Sequence, residues 1–209
     1  MYKEKSIFPL LTFRVLFGLM MFLSTVRYFT EGWIEKLYID PGFHFKYFGF
    51  HWVENPGPTG IYVLFLLKLI SAALVASGLF YRYALIAFLI SFAYLEGIDA
   101  SNYLNHHYLV LLFGFLLLFV AANRSFSLDI FFNRVSSIQR LPAWCLYIFM
   151  IQISLVYFYA GLAKLNTDWL LHAMPLRIWL PQFGDWPLVG GILSQPASAY
   201  LFSWFGALY

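Results

Sequence analysis

The chain has 209 residues, of which 62% are hydrophobic and only 11% are charged, and its formal net charge is +3. A soluble domain is typically about half apolar and about a quarter charged, so this composition excludes an ordinary soluble protein. The modest net charge, spread through the loops, predicts no nucleic-acid partner, and the single cysteine excludes an internal disulfide. Long apolar segments instead predict an all-α integral membrane protein, a polytopic helical bundle in the lipid bilayer.

Six apolar segments are predicted to cross the bilayer, which gives a bundle of about six transmembrane helices. They cover residues 9–29, 60–80, 83–98, 105–122, 143–164 and 189–209. The first follows Lys3 and Lys5 as in a signal peptide, but it is too long and lacks an A-x-A site, so we expect a retained helix. The last stops with the chain at "YLFSWFGALY" and is expected to be truncated. Residues 1–209 are expected to form a single domain.

The distribution of basic residues predicts the orientation. Lys and Arg are densest before the first segment, between the second and third, and between the fourth and fifth. Because cytoplasmic loops carry the excess of Lys and Arg, we expect a cytoplasmic N-terminus in a bacterial inner membrane. Residues 30–58, 97–106 and 164–188 then face the periplasm, or the lumen in a eukaryote. The aromatic-rich residues 30–58 are predicted to form an interfacial outer loop, either as a roof over a pocket or by packing alone.

Polar residues gather at this outer face. Lys164 ends the fifth segment in "YFYAGLAKLNTDW", and His106 opens the fourth in "GIDASNYLNHHY". Tyr157, Ala160 and Gly161 share a helix face with Lys164, and small residues there allow a backbone or a flat ligand to approach closely. Lys164 is therefore either an anchor that reaches the water line or an amine that faces a cavity. His106 is either bonded to loop backbone or functional.

A metal site is not predicted. His106 and His107 are adjacent and therefore point to different faces of a helix, and no third ligand stands near them in the sequence. Asp99 has two readings from the residues alone. It either pairs with a cation of the loops or orients His106.

The most specific signal is an ordered set of short motifs. They are Gly78-Leu79 with Tyr81-Arg82, then Asp99, Asn105-His106 with Tyr108, Ala122-Asn123 with Ser127 and Asp129, and finally Tyr157, Gly161, Lys164-Leu165 and Asp168-Trp169. This set, together with "FHFKYFGFHWV", resembles the membrane domain of vitamin K-dependent gamma-carboxylase. Bacterial relatives of that domain are grouped as the horizontally transferred transmembrane (HTTM) domain. The resemblance covers the chain from about residue 10 to residue 180.

The resemblance implies a chemistry. In the carboxylase, the lysine of the pattern GxxKLxxDW is the base that deprotonates reduced vitamin K so that oxygen can add. The oxygenated quinone becomes an epoxide through a strongly basic alkoxide, which removes the γ-proton of a glutamate before carbon dioxide adds. Lys164 stands at the position of that base, and His106 stands at the position of a histidine that assists it. The implied enzyme is a gamma-glutamyl carboxylase-like lyase or a quinol epoxidase of the monooxygenase type.

The implied co-substrates are a reduced vitamin K-type quinone, O2 and CO2, without a metal. The residues expected to bind the quinone are Asn105, Tyr157, Ala160, Gly161 and Asp99. The carboxylase also has a large lumenal region that holds its protein substrate, and no such region occurs among these 209 residues. The resemblance therefore implies the quinol-handling core more directly than the carboxylation of a protein or peptide acceptor.

The alternative function is non-catalytic. The chain would then be a quinone-binding or lipid-binding membrane domain, or a scaffold for a partner protein. Lys164 distinguishes the two, because an enzyme needs a buried neutral amine, whereas a scaffold would tolerate an arginine that always stays charged. A transporter is not indicated, because the sequence contains no repeated pair of broken helices.

Overall fold

The structure, a computed structural model, describes residues 3–208 and divides into two compact units. The first unit extends to Ile148, and the second begins at Phe149. In chain order the α-helices are α1 Phe8–Thr30, α2 Gly57–Ser77, α3 Tyr81–Ile98, α4 Asn105–Leu118, α5 Leu128–Phe131, α6 Trp144–Ala163, α7 Thr167–Leu170, α8 Met174–Trp179, α9 Gly190–Leu193 and α10 Pro196–Leu208. Two strands, β1 Glu4–Ser6 and β2 Arg140–Pro142, pair antiparallel in the first unit.

The helical membrane fold predicted from the sequence is confirmed. Four helices, α1, α2, α3 and α6, are long and apolar enough to cross a membrane. The fourth predicted segment forms a helix of 14 residues, and the described part of the sixth forms two helices, of which the longer has 13 residues. These helices are shorter than the ~20 residues that a bilayer crossing usually needs, so the count of six stays a prediction.

The first four helices pack antiparallel to their sequence neighbours. Gly18 of α1 touches Ala76 near the end of α2, and Gly114 of α4 lies against Leu89 of α3. Small residues are favoured at such contacts because lipid offers no hydrophobic driving force between helices, and close backbone approach gives the packing.

The loop after α1 covers one end of this bundle. A π-helical turn, Glu35–Ile39, buries Tyr38 and the preceding Ile34 in a core that also contains Phe65 and Leu95. Farther along the same loop, aromatic side chains are exposed: Phe43, Phe45, Phe48, Phe50 and Trp52. Residues 30–58 are therefore partly core and partly aromatic surface, and their place in the membrane interface stays a prediction.

Asp129 organises the opposite end of the first unit. Its carboxylate accepts hydrogen bonds from the backbone N–H of Phe80 (2.9 Å) and of Tyr81 (3.3 Å), and from the amide of Asn123 (2.8 Å). Nearby, the fully buried Arg14 donates to the carbonyl of Phe126 at 2.8 Å. These bonds join α1, the start of α3 and the segment after α4.

In the second unit, α7 packs on α10 through tryptophan and serine. Trp169 Nε1 donates to the carbonyl of Ser203 at 2.7 Å, and Ser203 Oγ donates back to the carbonyl of Trp169. Trp204 Nε1 adds a bond to the carbonyl of Leu170 at 3.1 Å. The short helix after Lys164 is thereby fixed to the last described helix.

The contact between α1 and α2 makes a prediction about Gly18. A Cβ at Gly18 would lie 2.7 Å from the Cα of Ala76, so Gly18→Ala must push the helices apart, which typically costs about 1–3 kcal/mol. At Gly191 a Cβ would meet nothing within 4 Å, so Gly191→Ala is the matched control. We expect thermal unfolding in detergent to show a lower Tm for Gly18→Ala alone. Equal Tm values for the two variants would contradict this packing.

Candidate functional site

Lys164 lies one residue beyond the end of α6, in the second unit. Its side chain is half-buried, and Nζ donates a hydrogen bond to the carbonyl of Gly206 at 2.6 Å. The same nitrogen is 5.3 Å from the centroid of the Trp169 ring. The amine is thus held between α10 and α7, and it contacts protein groups on two sides.

A cavity of about 590 Å3 lies in the second unit, and the residues that follow Lys164 and its partner Gly206 in the sequence help to line it. It lies between α6 and α10 and is lined by Ile153, Ser154, Tyr157, Phe158, Gly161, Leu162, Leu165, Ala207 and Leu208. Tyr157 and Gly161 are therefore lining residues, as a quinone-binding role would require, whereas Ala160 and Lys164 are not. A Cβ at Gly161 would lie 3.1 Å from the carbonyl oxygen of Ala207, so the small residue here lets the α10 backbone come close.

The two histidines at the start of α4, in the first unit, differ in burial. His106 and the preceding Asn105 are exposed, and the His106 ring packs edge-on against the His107 ring at 4.7 Å. The His107 side chain is only 12% exposed and places Nδ1 2.9 Å from Oε1 of Glu96, although the angle is not that of a hydrogen bond. Of the two histidines, His107 is therefore the more sheltered and the one close to a carboxylate, although the sequence analysis assigned it no role.

Lys68, in the middle of α2, is the most sheltered amine in the described part of the chain. The residue is 3% exposed. Its Nζ lies 4.1 Å from the centroid of the Phe92 ring, 5.3 Å from that of Tyr28 and 5.6 Å from that of Phe65. No hydrogen-bond acceptor for it occurs among residues 3–208, so aromatic faces supply its contacts, as in cation–π interactions.

Sequence reasoning missed Lys68, Glu96 and His107 as a group. One signal was present: a lone lysine inside an apolar segment of 21 residues is a functional candidate by default. The grouping itself was invisible, because it depends on α2, α3 and α4 packing side by side. The Phe92 ring links the group, since it lies against Lys68 on one side and 5.3 Å from the His107 ring on the other.

An aromatic cavity of about 730 Å3 opens beside Glu96. Its aromatic lining residues are Tyr47, Phe48, Phe50, Trp52, Tyr94, Tyr103 and Tyr108, and Glu96 is the one charged residue that lines it. Residues from the outer loop thus form one wall of a cavity in the first unit. Such walls suit a flat ring, because aromatic side chains stack or pack edge-on against it.

Asp99, directly after α3, is engaged with the outer loop. Its carboxylate accepts hydrogen bonds from the backbone N–H groups of Phe45 (3.2 Å) and Ser101 (2.9 Å), from Ser101 Oγ (2.8 Å) and from His44 Nδ1 (3.0 Å). His44 Nε2 accepts from the amide of Asn55 at 2.9 Å, which sets the neutral Nδ1–H tautomer of His44. Asp99 therefore bonds the outer loop through neutral donors, and neither a loop lysine or arginine nor His106 is its hydrogen-bond partner among residues 3–208.

These bonds lower the pKa of Asp99. Burial alone would raise the pKa, but the hydrogen bonds from Ser101, His44 and Phe45 stabilise the ionised carboxylate and outweigh that effect. Among residues 3–208, no three His, Cys, Asp or Glu side chains converge on a point that a metal ion could occupy.

The Asp99 network predicts acid sensitivity. Because the folded-state pKa of Asp99 is below its unfolded value near ~3.9, its contribution is complete above that pH and is lost as the pH falls through the folded-state value. We expect Asp99→Asn to lower Tm at pH 7, since hydrogen bonds to a charged group contribute about 1.5–3 kcal/mol. The variant should also lose less stability than wild type between pH 5 and pH 3. Asp40→Asn, at an exposed loop carboxylate, is the control, and parallel pH curves for all three proteins would contradict the network.

The burial of Lys68 predicts how its substitution changes the thermal stability of the protein. A buried cation without an acceptor loses its hydration, and replacing it with an apolar group of similar length is often neutral or stabilising. We expect Lys68→Met to keep or raise Tm, and Lys68→Ala to lower it by leaving a cavity among three rings. Thermal unfolding of the three proteins measures the order. A Lys68→Met variant as unstable as Lys68→Ala would mean that the ammonium itself holds the core.

The comparison with known proteins gives a family. The chain matches the family model of the HTTM domain over residues 2–209, essentially its whole length. No solved structure matches it. The match confirms the resemblance carried by the ordered motifs, and HTTM is a family of the vitamin K-dependent carboxylase type. With a match of this extent, the chain belongs to the HTTM domain family.

Proposed function

We propose that the protein is a carboxylase-like enzyme of a bacterial inner membrane that oxygenates a reduced quinone, with Lys164 as the base. The observation that carries the proposal is the position of the Lys164 amine. It is half-buried and held by the carbonyl of Gly206, and the next residue after each partner, Leu165 and Ala207, lines a cavity that Tyr157 and Gly161 also line. Membership of a family of the carboxylase type supports this assignment.

The hydrogen bond to Gly206 supports a base in a defined orientation. A neutral amine has two N–H groups and one lone pair, so donation of one N–H to the Gly206 carbonyl leaves the lone pair available. A quinol hydroxyl that reaches Nζ would transfer its proton there. Oxygen then oxidises the quinolate, and the quinol and O2 become the epoxide and water. General base catalysis of this kind contributes about 10²–10⁴-fold to a rate.

The proposal places the reacting face at the periplasmic side. Tyr157 and Gly161 would contact the quinone ring or its tail, and the apolar lining would admit the tail from the lipid. Carboxylation of a peptide or protein acceptor with CO2 is a second step, in which the basic product of oxygenation removes the acceptor's proton.

One observation favours the non-catalytic alternative. The Lys164 amine contacts a backbone carbonyl and the Trp169 ring, and both contacts suit an ammonium that clamps α10 to the end of α6. A lysine with this role would bind no substrate, and the cavity would hold a quinone or lipid without turnover.

Substitution of Lys164 separates the two functions. Purified protein in nanodiscs is supplied with a reduced isoprenoid naphthoquinone and O2, and the epoxide is measured by mass spectrometry. We expect product from wild type and from Lys36→Ala, which removes an exposed lysine of the outer loop. Lys164→Ala and Lys164→Arg should make at least about 100-fold less, because arginine keeps the charge and the donor but cannot accept a proton.

Two results would overturn the proposal. Epoxide formation by Lys164→Arg at the wild-type rate would remove the base from the mechanism. Absence of product from wild type with naphthoquinols and benzoquinols alike would favour the binding or scaffold function. The Tm of Lys164→Arg is the control for folding, and it should stay near wild type because the bond to Gly206 can be kept.

A further inference from the structure

Three arginines from three separate segments surround one cavity of the first unit. Arg82 is the second residue of α3, Arg124 lies in the turns after α4, and Arg134 follows α5. The cavity has a volume of about 410 Å3 and lies at the end of the bundle where α2 stops and α3 starts. Because the three side chains are up to 52 positions apart in sequence (134 − 82), the fold alone brings them together.

The positive charge of this cavity is not neutralised by the protein. Asp129 is the one acidic residue that lines it, and its oxygens already accept hydrogen bonds from the backbone of Phe80 and Tyr81 and from the amide of Asn123. In the described part of the chain, none of the three guanidinium groups has a carboxylate within ion-pair distance. The cavity therefore carries three cations against one occupied carboxylate.

Neutral contacts hold two of the arginines in place. Arg124 Nε donates to the carbonyl of Ser136 at 3.1 Å, and one of its terminal nitrogens donates to Ser136 Oγ. The Arg134 guanidinium lies 4.0 Å from the centroid of the Phe80 ring. These contacts orient the planar groups without cancelling their charge, which is the arrangement that recognises phosphate oxygens by paired N–H donors.

The surroundings indicate where the anion comes from. The walls of the cavity include Phe80, which is 44% exposed, and Tyr83, which is 77% exposed. Tyr83 belongs to α3, an apolar helix long enough to cross a membrane, and Phe80 directly precedes that helix. The same end carries the basic loops that the sequence predicts to be cytoplasmic. A phosphate flanked by apolar chains fits both the arginines and the exposed rings, and basic pockets between membrane helices on that side typically bind anionic headgroups.

We propose that the cavity formed by Arg82, Arg124 and Arg134 binds the phosphate headgroup of an anionic membrane phospholipid. This site is separate from the proposed quinol chemistry and does not depend on it. An ordinary excess of surface charge would attract anionic lipids diffusely, whereas the cavity binds one headgroup in a saturable manner.

Lipid titration tests the site. The purified full chain in a neutral detergent is titrated with phosphatidylglycerol or phosphatidylcholine of identical chains, and bound lipid is counted by native mass spectrometry alongside Tm. We expect one phosphatidylglycerol to bind at least about tenfold more tightly than phosphatidylcholine. The triple variant Arg82→Gln, Arg124→Gln, Arg134→Gln should lose this preference. The matched control Arg27→Gln, Lys36→Gln, Arg177→Gln removes the same charge elsewhere and should keep it.

Several outcomes would overturn the proposal. Equal loss of preference in both triple variants would show diffuse charge attraction alone. The same Tm shift with inorganic phosphate, or competition by it at equal concentration, would show a site for a free anion. If the triple variant does not fold, Arg82→Gln decides, because Arg82 is exposed and makes no hydrogen bond to the described part of the protein. It should weaken phosphatidylglycerol binding several-fold with an unchanged Tm in detergent alone, and unchanged binding would refute the site.

Discussion

Two aspartates hold the third helix at its two ends, and the rest of the first unit is built around that helix. Asp129 accepts the backbone N–H groups of Phe80 and Tyr81 at the start of α3, where a negative charge also interacts favourably with the helix dipole. Asp99 accepts N–H groups of the loop and of Ser101 just after the same helix ends. In an apolar medium an unpaired backbone N–H costs several kcal/mol, so these carboxylates determine which segments can close the ends of the bundle.

The amines of Lys68 and Lys164 differ in how far they are sheltered from solvent. Lys68 is nearly inaccessible and surrounded by three rings, whereas Lys164 is half-buried and bonded to the carbonyl of Gly206. Deep burial shelters an amine from water, but a base must also meet its substrate. Lys164 is the more exposed of the two amines, and Lys68 is the more sheltered. The hypothesis drawn from the sequence required Lys164 to be both sheltered from water and accessible to a substrate.

The two ends of the first unit have opposite chemical character. One end presents an aromatic cavity with a single carboxylate, Glu96, and a loop whose aromatic side chains are exposed. The other end presents a cavity with three arginines and an aspartate that is already bonded. The first unit therefore presents an aromatic cavity at one end and an arginine-lined cavity at the other.

The sequence by itself determined the membrane class, the family and the approximate bounds of the four long helices. Apolar length and the order of Gly78, Asp99, Lys164 and their neighbouring motifs are local properties, so no knowledge of packing was needed. Only the tertiary structure decided which polar groups meet. The bond between Lys164 and Gly206 spans 42 positions and the bond between His44 and Asp99 spans 55, and such contacts depend on how helices pack. For the same reason the sequence did not predict that Lys68, in the middle of α2, is buried, or that His107 is more sheltered than His106.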